Sequence, residues 1–194
     1  MLNWQEVHIH LRQLDYNIPY PLLKNQTTLR ENDTANPHLY GLDGNAVSYI
    51  LDNNNDGLIR SSGSGDKAWV YIGQRQGGRS YYGLNVTNPD SPTIKWIITG
   101  GTTTGFDRLA YTWSTPQVTK IPGEANPVVI FTGGYTGSGT TAIGNAIYFV
   151  DADTGALKFK VSPDTASSTN LNNSDMSDSM PGGVAIVDSD GDGL

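Results

Sequence analysis

The sequence predicts an all-β fold organised as a partial β-propeller, and three observations lead to this prediction. The 194 residues include 23 glycines and 10 prolines, and only 16% of them are charged. Short apolar runs alternate with clusters of Gly, Asn, Asp, Ser and Thr, as is typical of strands joined by turns. These runs recur in two similar cycles of four, and an acidic, glycine-containing loop occurs twice.

The two cycles of predicted strands occupy residues 45–98 and 112–161. In the first cycle we expect strands at residues 45–51, 67–73, 79–86 and 93–98. In the second cycle we expect them at residues 113–121, 127–132, 145–151 and 156–161. A third cycle begins in residues 182–194 with the apolar run 182–187. Residues 1–37 are predicted to be an irregular segment whose only helical signal follows Pro19.

The two cycles also align in sequence. Residues 81–87 followed by Lys95 and Trp96 match residues 147–153 followed by Lys158 and Phe159. Four strands per unit, repeated at about 65 residues, are typical of the blades of a β-propeller. The alternative fold is a β-sandwich with two decorated hairpins, but the matched positions of the two acidic loops favour the propeller.

Residues 38–194 contain fewer blades than a closed propeller requires. About four to eight blades are needed for closure, whereas this region is predicted to hold two blades and the start of a third. We therefore expect an incomplete propeller domain that belongs to a longer protein. Further blades of that protein would cover its open sheet edges.

The loop after the first predicted strand has the pattern of a calcium-binding loop. Oxygen-bearing side chains occupy alternate positions at Asp52, Asn54 and Asp56. Gly57 permits a sharp turn that brings the backbone carbonyl of Leu58 inward. Because Ca²⁺ takes about six to eight oxygen ligands, side chains at positions 1, 3 and 5 of such a loop can converge on one ion.

This loop is not an EF-hand, because Gly63 stands where an EF-hand has its bidentate glutamate. A further carboxylate must therefore come from elsewhere, and Asp66 is the nearest candidate ligand. The alternative interpretation is an Asn/Asp/Gly turn that is held by side-chain hydrogen bonds to its own backbone and needs no ion.

A second acidic loop lies at residues 188–194. It places the three carboxylates of Asp188, Asp190 and Asp192 within five residues. Without a cation these groups would repel one another, so we predict a second Ca²⁺ site here. With three carboxylates it is the stronger candidate of the two loops, whereas the loop at Asp52 is the better marker of the repeat.

Composition excludes several classes of function. The net charge of −7 and the lack of a basic stripe argue against nucleic-acid binding. There is no cysteine, hence no disulfide or thiolate site within the chain. No apolar run approaches the roughly 18 residues of a membrane span, and residues 1–8 lack the features of a signal peptide. No Ser/His/Asp ordering or acid/base pair of carboxylates stands out, so we do not predict an enzyme.

Several motifs in fixed order resemble the C-terminal propeller of the PilC/PilY family of type IV pilus biogenesis factors and tip adhesins. The resemblance covers about residues 18–194. The motifs are 40–44 (YGLDG), 52–57 (DNNNDG), 77–89 (GGRSYYGLNVTNP), 113–116 (WSTP), 144–155 (GNAIYFVDADTG) and 188–193 (DSDGDG).

The resemblance implies a protein exported through the periplasm to the bacterial surface, at the pilus tip or the outer membrane. It implies a role in pilus extension, adhesion and twitching motility, with pilins, the pilus machinery and host or surface ligands as partners. It also implies that Asp188, Asp190 and Asp192 form the family's regulatory calcium site. Residues 1–17 do not resemble the family.

Two other classes of function stay open at this point. Residues 144–155 also resemble the repeat of quinoprotein alcohol dehydrogenases. This resemblance implies a modified propeller like that of the quinoprotein dehydrogenases, and it would make the chain part of a PQQ-dependent enzyme. Those enzymes usually contain a vicinal disulfide, which this chain cannot form. The other class is an extracellular carbohydrate-binding propeller in which calcium is purely structural.

Overall fold

The computed structural model describes residues 40–137 and 143–187, and within these ranges the protein is all-β, as predicted. One three-residue 3-10 helix, Arg75–Gly77, accompanies the strands. The strands are β1 (Ala46–Leu51), β2 (Lys67–Gly73), β3 (Ser80–Asn85), β4 (Thr93–Thr99), β5 (Gln117–Thr119), β6 (Val128–Thr132), β7 (Ile147–Asp151), β8 (Leu157–Ser162) and β9 (Asn170–Asn172). The predicted irregular segment at residues 1–37 and the acidic loop at residues 188–194 lie outside the described residues.

The strands form two open sheets. The first has the order β1-β2-β3-β4 and the second the order β5-β6-β7-β8-β9. Neighbouring strands are antiparallel except for β8 and β9, which are parallel. Each of the first eight strands overlaps the strand predicted at its place, although β5 is only three residues long.

Both sheets carry the same irregularity at the same place. The register between β3 and β4 shifts after Gly83, and Lys95 has no partner across the ladder. The register between β7 and β8 shifts after Phe149, and there Lys158 has none. A bulge leaves one extra residue outside the ladder and increases the local twist. The structural repeat thus coincides with the repeat seen in the sequence.

The core lies between the two sheets and is rich in aromatic residues. The ring of Tyr81 on β3 packs 4.1 Å from the ring of Phe131 on β6, measured between centroids. The connection between β4 and β5 contributes Phe106, whose ring lies 5.0 Å from that of Tyr148. Large buried aromatic side chains dominate core energetics, so these contacts join the sheets into one unit. The buried cluster also includes Trp69, Tyr71, Trp96, Ile98, Leu109, Val129, Ala146, Val150 and Ala152.

One backbone carbonyl connects the sheets by hydrogen bonds. The carbonyl of Ala152, in the β7–β8 turn, accepts the hydroxyl of Tyr71 at 3.1 Å and the indole N–H of Trp96 at 3.1 Å. Lys95, the bulged residue of the first sheet, forms an ion pair with Asp153 in the same turn. The tip of this turn is therefore bound to the first sheet by three polar contacts.

Two features differ from the prediction. Strand β9 was not predicted; it adds a parallel edge to the second sheet because the N–H of Lys160 donates to the carbonyl of Thr169 at 2.8 Å and Asn170 is buried. Residues 182–187 were predicted to be a strand, but they form no ladder with any described strand, and Val187 is 79% exposed. A strand needs a hydrogen-bonding partner, and an apolar run without one does not become a strand.

No helix among the described residues has the length and apolar character of a membrane span.

Candidate calcium-binding loop

The first acidic loop connects two strands that pair directly with each other. Strand β1 ends at Leu51, strand β2 begins at Lys67, and these two residues face each other across the ladder. The ends of the loop are therefore held together by the sheet, and residues 52–66 project beyond it. A loop on a rigid scaffold is a common place for a binding site.

Asp52 folds its side chain into the loop. One carboxylate oxygen accepts the backbone N–H of Asp56 at 3.3 Å, and the other accepts that of Gly57 at 2.6 Å. Asn55 and Gly57 both have positive φ, of 56° and 81°, which turns the backbone back toward Asp52. Asn and Gly are the residues that adopt this conformation at least cost. The sequence thus produces the sharp turn that was predicted.

The side chains of Asn54 and Asp56 meet on the same turn. The amide of Asn54 donates to Asp56 Oδ2 at 2.9 Å, and the backbone N–H of Leu58 donates to Asp56 Oδ1 at 2.9 Å. Arg60 forms an ion pair with Asp56 Oδ2. The structure therefore brings the predicted side chains at positions 52, 54 and 56 together. It also adds the guanidinium group of Arg60, which was not predicted to take part.

Asp66 closes the loop from its far end. This side chain is buried, and its two carboxylate oxygens accept the backbone N–H groups of Asn53 and Arg60, each at 2.9 Å. The amide of Asn53 donates to the carbonyl of Ser64 at 2.8 Å. Asp66 thus lies at the same loop, as predicted, and stabilises its backbone. Its part as an ion ligand stays a prediction.

Hydrogen bonds keep two of these carboxylates ionised. The guanidinium of Arg60 and the N–H of Leu58 hold the pKa of Asp56 below its usual value. Hydrogen bonds from Ser64 and from the backbone of Arg60 and Asn53 lower the pKa of Asp66. Donors that bind the charged form favour that form. Both groups therefore carry a negative charge at neutral pH, which is the form that binds a cation.

The oxygen atoms of this loop agree with calcium chemistry in type. Carboxylates, an amide oxygen and a backbone carbonyl are hard oxygen ligands of the kind that Ca²⁺ takes. A carboxylate oxygen that accepts one hydrogen bond still has a second lone pair available. Over residues 40–137 and 143–187, no three His, Asp or Glu side chains form a metal cluster, so an ion here would also need the oxygens of Asn54 and Leu58.

The hydrogen bonds also satisfy the alternative interpretation, an Asn/Asp/Gly turn that needs no ion. Arg60 bears on both interpretations. Its guanidinium pairs with Asp56 Oδ2, so it stabilises the turn without an ion and competes with a bound ion for that oxygen. Its position four residues after an aspartate was a signal in the sequence. The second predicted site, at Asp188, Asp190 and Asp192, lies outside the described residues.

Comparison with known proteins gives a limited result. No protein-family model matches the chain, and no curated protein matches it. Among solved structures, the chain is similar to the crystal structure of the Pseudomonas aeruginosa PilY1 C-terminal domain, with 19% sequence identity and a TM-score of 0.47. The match covers 71% of this chain and 26% of the other. The chain thus spans about a quarter of the length of that structure.

Proposed function

We propose that this chain is a non-enzymatic part of a pilus-associated β-propeller of the PilC/PilY type, and that its β1–β2 loop binds Ca²⁺. The pilus assignment depends on the ordered series of motifs between residues 40 and 193. The calcium assignment depends on the loop. Its main support is the convergence of the side chains of Asp52, Asn54 and Asp56 on one turn that Asp66 closes.

In this proposal the loop residues have separate tasks. Asp52 and Asp56 supply negative charge, and Asn54 and the carbonyl of Leu58 supply neutral oxygens. Asp66 holds the backbone from Asn53 to Arg60 in place through its two hydrogen bonds. Bound Ca²⁺ would neutralise the two aspartates and rigidify the loop between two paired strands, because oxygen ligands from one turn would be fixed to one ion.

The wider cellular role in this proposal is inferred from the resemblance to the PilC/PilY family. The chain would form blades of a propeller that is completed by further blades, at the cell surface on the pilus tip or the outer membrane. There it would take part in adhesion, pilus extension and twitching motility, with pilins and surface ligands as partners. The loop at Asp188, Asp190 and Asp192 would be a second, regulatory calcium site.

The calcium proposal is tested by calorimetric titration of the 194-residue chain with CaCl₂. We expect saturable binding in the wild type, and Asp52→Asn should remove one binding event. Asp90→Asn makes the same change of charge in another exposed turn and should leave the titration unchanged. Asp190→Asn reports on the second loop separately. An unchanged stoichiometry and affinity in Asp52→Asn would show that the first loop is only a turn.

The pilus proposal needs its own test. Purified type IV pili are sedimented with the chain in CaCl₂ and in EDTA, with flagellar filaments as a control polymer. We expect co-sedimentation with pili in CaCl₂ and less in EDTA. Equal recovery with both polymers, or none with either, would contradict the pilus assignment without affecting the calcium titration.

A further inference from the structure

Three connections lie at the strand ends opposite to the calcium-type loop. They follow β2, β4 and β6. The connection after β4 carries Tyr111 and Trp113, and the described start of the connection after β6 carries Tyr135. Tyr111 and Tyr135 are 37% and 39% exposed, whereas every tyrosine on strands β2, β3 and β7 is buried. Exposed aromatic side chains that cluster on loops are typical of a binding surface.

The backbone holds these aromatic residues side by side. Tyr111 and Tyr135 form an isolated antiparallel bridge, and the N–H of Tyr135 donates to the carbonyl of Tyr111 at 3.3 Å. Residues that face each other in this way present their side chains on one side, with Cβ atoms about 4.5–5.5 Å apart. The indole N–H of Trp113 donates to the carbonyl of Tyr135 at 3.2 Å. The three residues therefore share one surface.

An arginine with an unusual backbone borders this surface. The guanidinium carbon of Arg75 lies 5.0 Å from the ring centroid of Trp113, and its Nη1 lies 3.5 Å from Asp43 Oδ2. The N–H of Arg75 donates to Thr112 Oγ1 at 2.8 Å, although its φ is 54°. Arginine seldom adopts positive φ, and residues held in such conformations cluster at functional sites. We call the set Asp43, Arg75, Tyr111, Trp113 and Tyr135 the aromatic platform.

The chemistry of the aromatic platform favours an uncharged ligand with both apolar and polar faces. Arg75 and Asp43 compensate each other's charge, and the whole chain has a net charge of −7. A polyanion would instead require uncompensated basic residues. The phenol hydroxyls of Tyr111 and Tyr135 have no hydrogen-bond partner among the described residues, so they and the Arg75–Asp43 pair offer donors and acceptors beside flat aromatic faces.

A sugar ring has the complementary pattern. Its C–H groups form a flat apolar face that can contact an aromatic ring, and such C–H contacts are individually weak. Its hydroxyl groups surround that face and can pair with the guanidinium fork of Arg75 and the carboxylate of Asp43. A peptide anchor, by contrast, is usually buried in a well-packed pocket, whereas Tyr111 and Tyr135 are exposed.

We propose that the aromatic platform binds a neutral oligosaccharide through stacking on Tyr111 and Tyr135. The inference uses residues at the other end of the strands from the calcium-type loop, and it does not depend on calcium binding or on the pilus assignment.

The test is saturation-transfer NMR and tryptophan fluorescence on the 194-residue chain. The probes are maltohexaose, cellohexaose and N-acetylchitohexaose, and a proline-rich decapeptide represents a protein partner. We expect one of the sugars to bind, and Tyr111→Ala and Tyr135→Ala each to weaken binding by about tenfold. Ile97→Ala, which truncates an exposed side chain on β4, should bind normally. Thermal unfolding confirms that each variant is folded.

Three outcomes would overturn the proposal. The first is that none of the three sugars binds. The second is sugar binding that Tyr111→Ala and Tyr135→Ala leave unchanged while both variants are folded. The third is binding of the peptide alone, which would identify the platform as a contact for a protein partner. Arg75→Lys serves as a further check, because loss of the planar fork should weaken sugar binding while the positive charge is kept.

Discussion

The contact between Gly155 and Trp96 offers the sharpest test of how the two sheets pack. Gly155 lies in the β7–β8 turn of the second sheet with φ of 74°, and Trp96 belongs to β4 of the first sheet. A Cβ atom at Gly155 would lie 2.7 Å from Cγ of Trp96, a distance that the packing cannot accommodate without a shift. We therefore predict that Gly155→Ala destabilises the protein strongly.

A matched substitution separates the packing contribution from the backbone contribution. Gly123 has φ of 84°, and a Cβ atom there meets nothing within 4 Å. Both alanines incur the left-handed backbone cost of about 1–2 kcal/mol, and both reduce the entropy of the unfolded chain to the same extent. Only the alanine at Gly155 adds an overpacking cost, which is about 1–3 kcal/mol. The two variants should therefore differ in free energy of unfolding by about 1–3 kcal/mol.

Urea unfolding followed by tryptophan fluorescence measures this difference. Trp96 is one of four tryptophans, and its environment lies at the contact between the sheets. We expect a clearly lower midpoint for Gly155→Ala than for Gly123→Ala, with similar slopes. Equal midpoints would refute the reasoning, because they would mean that the turn does not pack on Trp96 in solution.

Three further predictions concern single groups. Tyr71→Phe removes a buried hydrogen bond to the carbonyl of Ala152 and should cost about 0.5–1.5 kcal/mol in the same urea assay. Arg60→Gln removes the cation paired with Asp56 and should tighten calcium binding by roughly two- to fivefold in a titration. Asp164 forms ion pairs with Lys160 and Arg108. Burial raises the pKa of Asp164, but these two cations hold it below the usual value of about 3.9. The ionised Asp164 carboxylate therefore stabilises the fold fully above the usual pKa, and this contribution is lost as the pH falls through the lowered pKa of the folded state. Acid unfolding followed by circular dichroism would detect the loss below about pH 4.

Most of the fold could be predicted from the sequence, because the signals are local. Strands β1 to β8 lie in apolar runs that turn residues separate, and the pattern is repeated around Lys95 and Lys158. The turn at Asp52 was predictable for the same reason. Alternate oxygen-bearing side chains and a glycine specify its geometry within six residues.

The remaining features depend on contacts that are distant in sequence. Strand β9 contains two asparagines, which disfavour strands, yet Asn170 is held by Ser162 Oγ at 2.8 Å and by the edge of β8. Phe106 lies in a connection rich in Gly and Thr, but it is 1% exposed, and its ring packs against Phe131 and Tyr148 of the second sheet. No periodicity in the sequence identifies such a residue as core.

The aromatic platform was also not predicted. Only the structure shows that Tyr111 and Tyr135 are exposed while Tyr71 and Tyr81 are buried. The difference arises because the first two lie in connections beyond the ends of the strands. Sequence composition does not distinguish these two environments.

The most direct test of the calcium loop is residue-resolved NMR during a CaCl₂ titration of the isotope-labelled chain. The amide N–H groups of Asp56, Gly57 and Leu58 donate to the carboxylates that would hold the ion. We predict saturable shifts of these three resonances, reversed by EDTA, while the amide of Gly123 stays unchanged. Shifts confined to residues 188–194, with none between residues 52 and 66, would contradict the assignment of the first loop as a calcium site.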